Sequence, residues 1–128
     1  MAFDGLGRIG QIHVSISDVG RSVAFYRDVL GIPLLFEVPE QSMAFFDCGG
    51  VRLYLGLPES AEFRSTSLLY FVVQDIDEAY STLRDRGAGF DGPPHLIHRT
   101  EASELWMAFF RDPDANHLAL MAEVPAAT

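Results

Sequence analysis

The sequence is poor in cysteine and in basic residues, and both shortages narrow the classes of function. Cys48 is the single cysteine, so the chain cannot form an internal disulfide, and a reducing cytoplasm suits it. Lys and Arg number 9 against 18 Asp and Glu, which gives a formal net charge of −9. Nucleic acid and anionic membrane surfaces attract basic patches, so we expect neither as a partner.

Long apolar runs are also missing. No segment approaches the roughly 18 apolar residues that a membrane helix needs. No basic region followed by an apolar stretch marks a signal peptide at the N-terminus, so we expect a cytoplasmic protein. The 128 residues are 48% hydrophobic, which is ordinary for a globular chain that buries a core.

A strand followed by an Asp-capped helix occurs twice along the chain. Residues 9–17 alternate apolar and polar side chains and predict a strand, after which Asp18 caps a helix that ends at Gly31. The stretch "SLLYFVV" predicts a second strand, and Asp75 caps the helix that follows it. A shift of 57 residues lays the second cap on the first, which indicates an internal repeat.

Three further strands follow each helix. The stretches "IPLLFEV", "SMAFFDC" and "VRLYLGL" follow the first, and "HLIH", "ELWMAFFR" and "HLALMAE" follow the second. The order is therefore βαβββ twice, over residues 9–57 and 67–124, joined by a polar connector at 58–66 within one domain of residues 1–128. The predicted fold class is α+β, with two modules forming a cupped mixed sheet and the helices outside.

Strand alternation predicts which side chains face the hollow between the modules. These cup-facing side chains are Gln11, His13, Ser15, Arg52, Tyr54, Leu68, Tyr70, His117, Ala119 and Met121. Trp106 is expected on the cavity wall too, because its ring N–H needs a partner. Planar ligands could stack on such aromatic surface.

Two stretches carry a family resemblance. "SDVGRSVAFYRDVLGIPLLF" and "FFRDPDANHLALM" resemble signatures of the vicinal oxygen chelate superfamily, which includes glyoxalase I, bleomycin-resistance proteins, extradiol dioxygenases and epimerases. The resemblance spans about residues 9–124 and implies the two-module fold, a small-molecule ligand and a homodimer. Because this fold hosts many reactions, the residues of the site must argue the function.

The resemblance also implies a divalent metal held by two ligands from each module. Those positions fall on Gln11, Leu68, Arg52 (or, in another register, Tyr54) and Ala119. Leu and Ala carry no donor atom, and a guanidinium only donates and repels a cation. A lone Gln cannot hold a dication against bulk water. We therefore expect no metal cofactor at the usual site.

Arg52 and His13 are the candidates for chemistry. Arg52 lies on an otherwise apolar strand, where it either clamps an anionic ligand or pairs internally with Glu104 or Asp47. His13 is either a general base or a hydrogen-bonded residue lining a polar patch.

Three functions remain open from the sequence. The first is a metal-free binding protein of the bleomycin-resistance kind, whose predicted ligand-binding residues are Gln11, His13, Arg52, Tyr54, Tyr70 and Trp106. The second is an isomerase-, lyase- or dioxygenase-like enzyme without a metal, in which His13 moves a proton and Arg52 holds an oxyanion. Such an enzyme could also use a displaced metal bound by His13, His95 and one more residue, with His98 and His117 as further candidates, although no spacing supports that site. The third is a packed dimer with no ligand.

Overall fold

Two mixed β-sheets dominate the structure, a computed structural model that describes residues 3, 5–58, 60–64 and 68–126. One sheet has four strands and the other has five. The predicted α+β class with two βαβββ modules is confirmed. The predicted connector at 58–66 lies partly outside the described residues, so its boundaries stay a prediction.

The first sheet is built from the N-terminal half of the chain. Its strands are β1 (Gln11–Ser15), β2 (Leu34–Val38), β3 (Met43–Cys48) and β4 (Val51–Gly56). They lie in the order β1-β4-β3-β2, and only β1 and β4 among them pair in parallel. Gly49 and Gly50 form the turn between β3 and β4 with φ of 63° and 90°, a left-handed conformation that glycine adopts without a steric cost.

The second sheet repeats this plan. Its strands are β5 (Leu69–Val72), β6 (Gly89–Phe90), β7 (His95–Arg99), β8 (Ser103–Arg111) and β9 (His117–Pro125). The order is β5-β9-β8-β6, with β7 also paired to β8, and β5 runs parallel to β9. The short strand β6 was not predicted.

Each module has one principal helix that begins at an aspartate. The helical segments are α1 (Val19–Val23), a π-helical turn (Ala24–Val29), 3-10 turns at Pro39–Gln41 and Ala61–Phe63, and α2 (Ile76–Asp85). Asp18 accepts a hydrogen bond from the Arg21 N–H, and Asp75 accepts one from the Glu78 N–H, both at 3.0 Å. No helix in the described residues is long and apolar enough to cross a membrane.

One hydrophobic core lies under both sheets on their helix-covered side. Val14 and Leu55 enter it from the first sheet, and Phe110 and Leu120 enter it from the second. At the seam between the modules, Ile12 and Leu53 of the first sheet and Leu69 and Phe71 of the second line one cavity of about 310 Å³, which Tyr70 also borders. The helices therefore cover the same side of both sheets. We call the opposite, uncovered side of the two sheets the open face.

Polar contacts fasten the turn between β8 and β9 to the first module. The Tyr26 hydroxyl donates to Asp112 Oδ2 at 2.8 Å, and both side chains are buried. The Asn116 amide donates to the Ser15 carbonyl, also at 2.8 Å. This turn, with its Asp-Pro-Asp-Ala-Asn sequence, therefore sets the position of the second sheet relative to the first.

Candidate ligand-binding face

The open face of the first sheet carries four rings in one line. The strand register places His13 beside Tyr54, Tyr54 beside Phe45, and Phe45 beside Phe36. Because all four strands contribute one ring at the same height, the rings run across the sheet from β1 to β2. We call these four residues the aromatic row.

The rings of the aromatic row contact one another closely. The His13 and Tyr54 ring centres are 4.7 Å apart, with the planes inclined by 48°. Tyr54 and Phe45 stack at 4.8 Å and 12°, and Phe45 and Phe36 stack at 4.6 Å and 27°. Such contacts stabilise offset-stacked rings and hold them in place. Phe36, at the outer end, is 49% exposed, His13 and Tyr54 are half-buried, and Phe45 is 7% exposed. Solvent therefore reaches the row at its two ends and at Tyr54 rather than at Phe45.

Arg52 lies two residues before Tyr54 on β4, on the same face as this row. Its register neighbours are Gln11 on β1 and Asp47 on β3. The Arg52 Nε donates to Gln11 Oε1 at 2.8 Å, and its guanidinium carbon lies 5.3 Å from the Phe45 ring centre. The hydrogen bond and the cation–π contact orient the guanidinium over the edge of the aromatic row.

The internal ion pair considered for Arg52 is not formed. Asp47 is its cross-strand neighbour, but the Asp47 carboxylate accepts the Gly50 N–H at 2.9 Å instead. Glu104 pairs with Arg99, whose Nε lies 2.8 Å from Glu104 Oε2. Within the described part of the chain, the guanidinium has no carboxylate partner. Its terminal N–H groups therefore remain available to an anion.

The residues at the family's ligand positions do not fit a divalent metal. The Gln11 side-chain oxygen already accepts from Arg52, and the guanidinium would repel a cation at that point. Leu68 has no donor atom, and Ala119 is fully buried and has none either. Across the described residues, no group of three or more His, Cys, Asp or Glu side chains is arranged to hold an ion.

The other histidines lie on the second sheet. His95 and His98 are exposed on β7, and the His95 ring contacts Phe109 at 5.8 Å. His117 is exposed at the start of β9, opposite Arg111. They therefore do not assemble a displaced metal site with His13 in the described structure.

The predicted aromatic residues of the second module have different positions. Tyr70 pairs with Ala119 and is 47% exposed on the open face. Trp106 lines a half-open cavity of about 390 Å³ near the start of α2, away from the open face. Trp106 pairs with the buried Ala122 and packs against the core on the helix-covered side. Its ring N–H donates to Glu104 Oε1 at 3.1 Å, which satisfies the donor without a ligand.

A second half-open cavity, of about 460 Å³, lies on the helix-covered side. Leu30 and Ile32 line it from the first module, and Phe71 and several α2 residues line it from the second. Its charged lining residues are Asp75 and Glu78, which would repel an anion. This cavity therefore does not match the ligand indicated by Arg52.

The sequence interpretation missed Phe36 and Phe45. Of the six predicted ligand-binding residues, the structure brings Gln11, His13, Arg52 and Tyr54 together on the first sheet. The signal for Phe45 was present, because the Gly49-Gly50 turn fixes the β3–β4 register and places Phe45 opposite Tyr54.

Comparison with known proteins agrees with this architecture. The model of the Glyoxalase/Bleomycin resistance protein/Dioxygenase superfamily matches residues 8–120. The chain belongs to this superfamily. The family resemblance predicted from the two sequence signatures is thereby confirmed.

Several known proteins are similar to this chain over part or most of its length. The uncharacterized protein YraH of Bacillus subtilis is 34% identical over 119 residues, covering 83% of this chain and 91% of that protein. The metallothiol transferase FosB of Staphylococcus haemolyticus is 34% identical over 73 residues, 54% of this chain and 51% of FosB. A superfamily member from Sphaerobacter thermophilus superposes with a TM-score of 0.75 at 26% identity, covering 91% of this chain and 98% of that one.

Proposed function

We propose that this superfamily member binds a small, planar organic anion on the open face of its first sheet, without the divalent metal typical of its relatives. The observation that carries the proposal is the juxtaposition of the aromatic row with a guanidinium that has no carboxylate partner in the described residues. The rings supply an apolar aromatic surface, and Arg52 supplies the charge.

The geometry favours an anion over other ligands. The chain as a whole carries a net charge of −9, so any attraction for an anion must be local. Arg52 is already oriented by Gln11 and Phe45, so binding costs little further ordering of this side chain. A guanidinium also matches the two oxygens of a carboxylate.

We further propose that the protein acts as a homodimer. On the open face of the second sheet, Tyr70 is 47% and Val72 is 79% exposed, and every residue of the edge strand β7 is exposed. A second copy covering such surface would enclose a ligand lying on the aromatic row. The expected cytoplasmic location stays a prediction.

Calorimetric titration with 2-naphthoate tests the binding proposal, with the neutral isostere 2-naphthamide as the matched ligand control. We expect 2-naphthoate to bind, and Arg52→Ala to weaken it by about fivefold to tenfold, roughly 1 to 1.4 kcal/mol. The affinity for 2-naphthamide should fall much less in the same variant. Arg84→Ala removes an exposed arginine of α2, on the helix-covered side, and should leave both affinities unchanged. Equal losses for the two ligands, or none for either, would refute the anion clamp.

A second candidate function is metal-free catalysis at the same face. It is favoured by the half-buried His13 ring, which lies at one end of the aromatic row on the same strand as Gln11, the partner of Arg52. There His13 could move a proton while Arg52 holds the developing oxyanion. If a ligand of this face is turned over, His13→Gln should abolish turnover while its affinity survives. Loss of affinity with unchanged turnover per bound ligand would exclude this role.

A further inference from the structure

Gly56, the last residue of β4, lies directly under the ring of Tyr54. The two residues are two positions apart on one strand, so both point toward the open face. A Cβ atom built on Gly56 would lie 2.7 Å from Cε1 and the hydroxyl oxygen of Tyr54, and 2.8 Å from Cζ. The Tyr54 ring therefore occupies the space that any other residue at position 56 would fill.

Gly56 has no backbone requirement that explains the glycine. Its φ lies outside the left-handed region, and it pairs regularly with Met43 on β3 and with Ser15 on β1. Its carbonyl accepts the Ile16 N–H at 3.0 Å. An alanine could adopt this conformation and keep these hydrogen bonds. The consequence of a Cβ here is thus displacement of the Tyr54 ring.

The position of the Tyr54 ring determines whether the aromatic row stays stacked. Lying back along the strand over Gly56, the ring is stacked at 12° on Phe45 and contacts His13 at 4.7 Å. A ring lifted off the strand would break the stack and stand in the path of a ligand.

We propose that Gly56 is a positioning residue that keeps Tyr54 in the stack and thereby makes the face selective for aromatic ring systems. This inference rests on the proposed function, since it names the class of ligand for the same face: a fused or extended aromatic anion. Saturated anions of equal charge and similar size, which have no aromatic ring to place against the row, are discriminated against.

Gly56→Ala tests the inference, with Gly89→Ala as the matched control. Gly89 is also a strand glycine without a left-handed φ, and nothing lies within 4 Å of a Cβ built there. Titration with 2-naphthoate and with its saturated analogue decahydro-2-naphthoate gives a selectivity ratio for each protein. We expect Gly56→Ala to reduce this ratio about fivefold, a free-energy change of about 1 kcal/mol. Gly89→Ala should leave the ratio unchanged.

Nuclear magnetic resonance provides a readout that needs no ligand. The ring current of Tyr54 acts on the neighbouring His13 imidazole protons, whose signal is assigned by its loss in His13→Gln. Gly56→Ala should shift that signal, and Gly89→Ala should not. In a Tyr54→Leu background, Gly56→Ala should change neither the His13 signal nor the selectivity ratio, because no ring remains to be displaced.

The outcomes separate this inference from the proposed function. An unchanged His13 signal in Gly56→Ala overturns the role of Gly56, whatever binds. A shifted signal with an unchanged selectivity ratio overturns the claim of selectivity for aromatic ligands. If 2-naphthoate does not bind the native protein, the proposed function fails. The His13 signal then decides alone whether Gly56 positions Tyr54.

Discussion

Replacing Tyr26 by Phe should measurably loosen the junction between the two modules. The Tyr26 hydroxyl is fully buried and donates to Asp112 at 2.8 Å, and the substitution removes that oxygen with little change in shape. A hydrogen bond to a charged acceptor contributes roughly 1.5 to 3 kcal/mol. Asp112 keeps the Asn116 amide as a partner on the same oxygen, so the loss should fall near the lower end. We expect about 1.5 to 2 kcal/mol.

Urea denaturation at neutral pH measures this loss, and thermal melting should show a fall in Tm of roughly 5 to 10 °C. Tyr80→Phe is the matched control, because the Tyr80 hydroxyl makes only an exposed contact of 3.4 Å with Arg84. It should cost less than about 0.5 kcal/mol. Equal effects of the two substitutions would refute the argument that the buried contact fastens the modules.

The same pair predicts a pH dependence at the alkaline end. Burial, and then the negative charge of Asp112, raise the pKa of Tyr26 well above its ordinary value of 10.0. Above pH 10 the unfolded chain loses this proton while the folded protein retains it, so native stability falls by about 1.4 kcal/mol per pH unit. In Tyr26→Phe the titrating hydroxyl is absent, so this fall in stability does not occur. The stability difference between native protein and variant should therefore shrink above pH 10, and a constant difference would contradict the assignment.

Two further predictions concern the helix caps and the thiol. Asp18→Ala and Asp75→Ala should each reduce the free energy of unfolding by about 0.5 to 2 kcal/mol in urea titrations. Asp77→Ala, which removes no cap, should cost less, and equal losses would contradict the capping geometry. Burial and the charge of Asp47 raise the pKa of the Cys48 thiol, so iodoacetamide near about pH 8 should alkylate it more slowly than free glutathione. Alkylation as fast as that of glutathione would argue against this environment.

The features predicted correctly from sequence are those governed by local chemistry. Both aspartate caps accept the N–H three residues further on, because a short carboxylate before a helix has few better partners. Gly31 ends the first helical segment with a φ of 74°, a conformation that glycine adopts readily. The repeated plan of strand, capped helix and three strands followed from these signals.

The side of the sheet on which Trp106 lies cannot be predicted from its strand, which gives no alternation to interpret. The run Leu105–Phe110 is apolar at every position, so the periodicity does not distinguish the core side from the open side. Trp106 faces the helix-covered side of the sheet because it pairs with Ala122, which belongs to the core. Pairing between distant segments is a tertiary property that the local pattern does not contain.

Whether Arg52 forms an ion pair likewise depends on which donor the Asp47 carboxylate accepts from. Asp47 was a reasonable ion-pair candidate, and it does lie opposite Arg52 in the sheet. Its carboxylate instead accepts the backbone N–H of Gly50, within its own turn. Local side-chain to backbone bonds of this kind often prevail over a long flexible side chain. The sequence contained both alternatives, and only the geometry decides between them.

The affinity for 2-naphthoate, measured by calorimetry before and after exhaustive treatment with EDTA, tests the central claim most directly. Since Arg52 and the aromatic row carry the binding in this account, the two dissociation constants should agree within about twofold, a difference below roughly 0.5 kcal/mol. Added zinc or manganese should not change them. Binding that disappears with EDTA, returns with a divalent ion and depends on Gln11 would contradict the account.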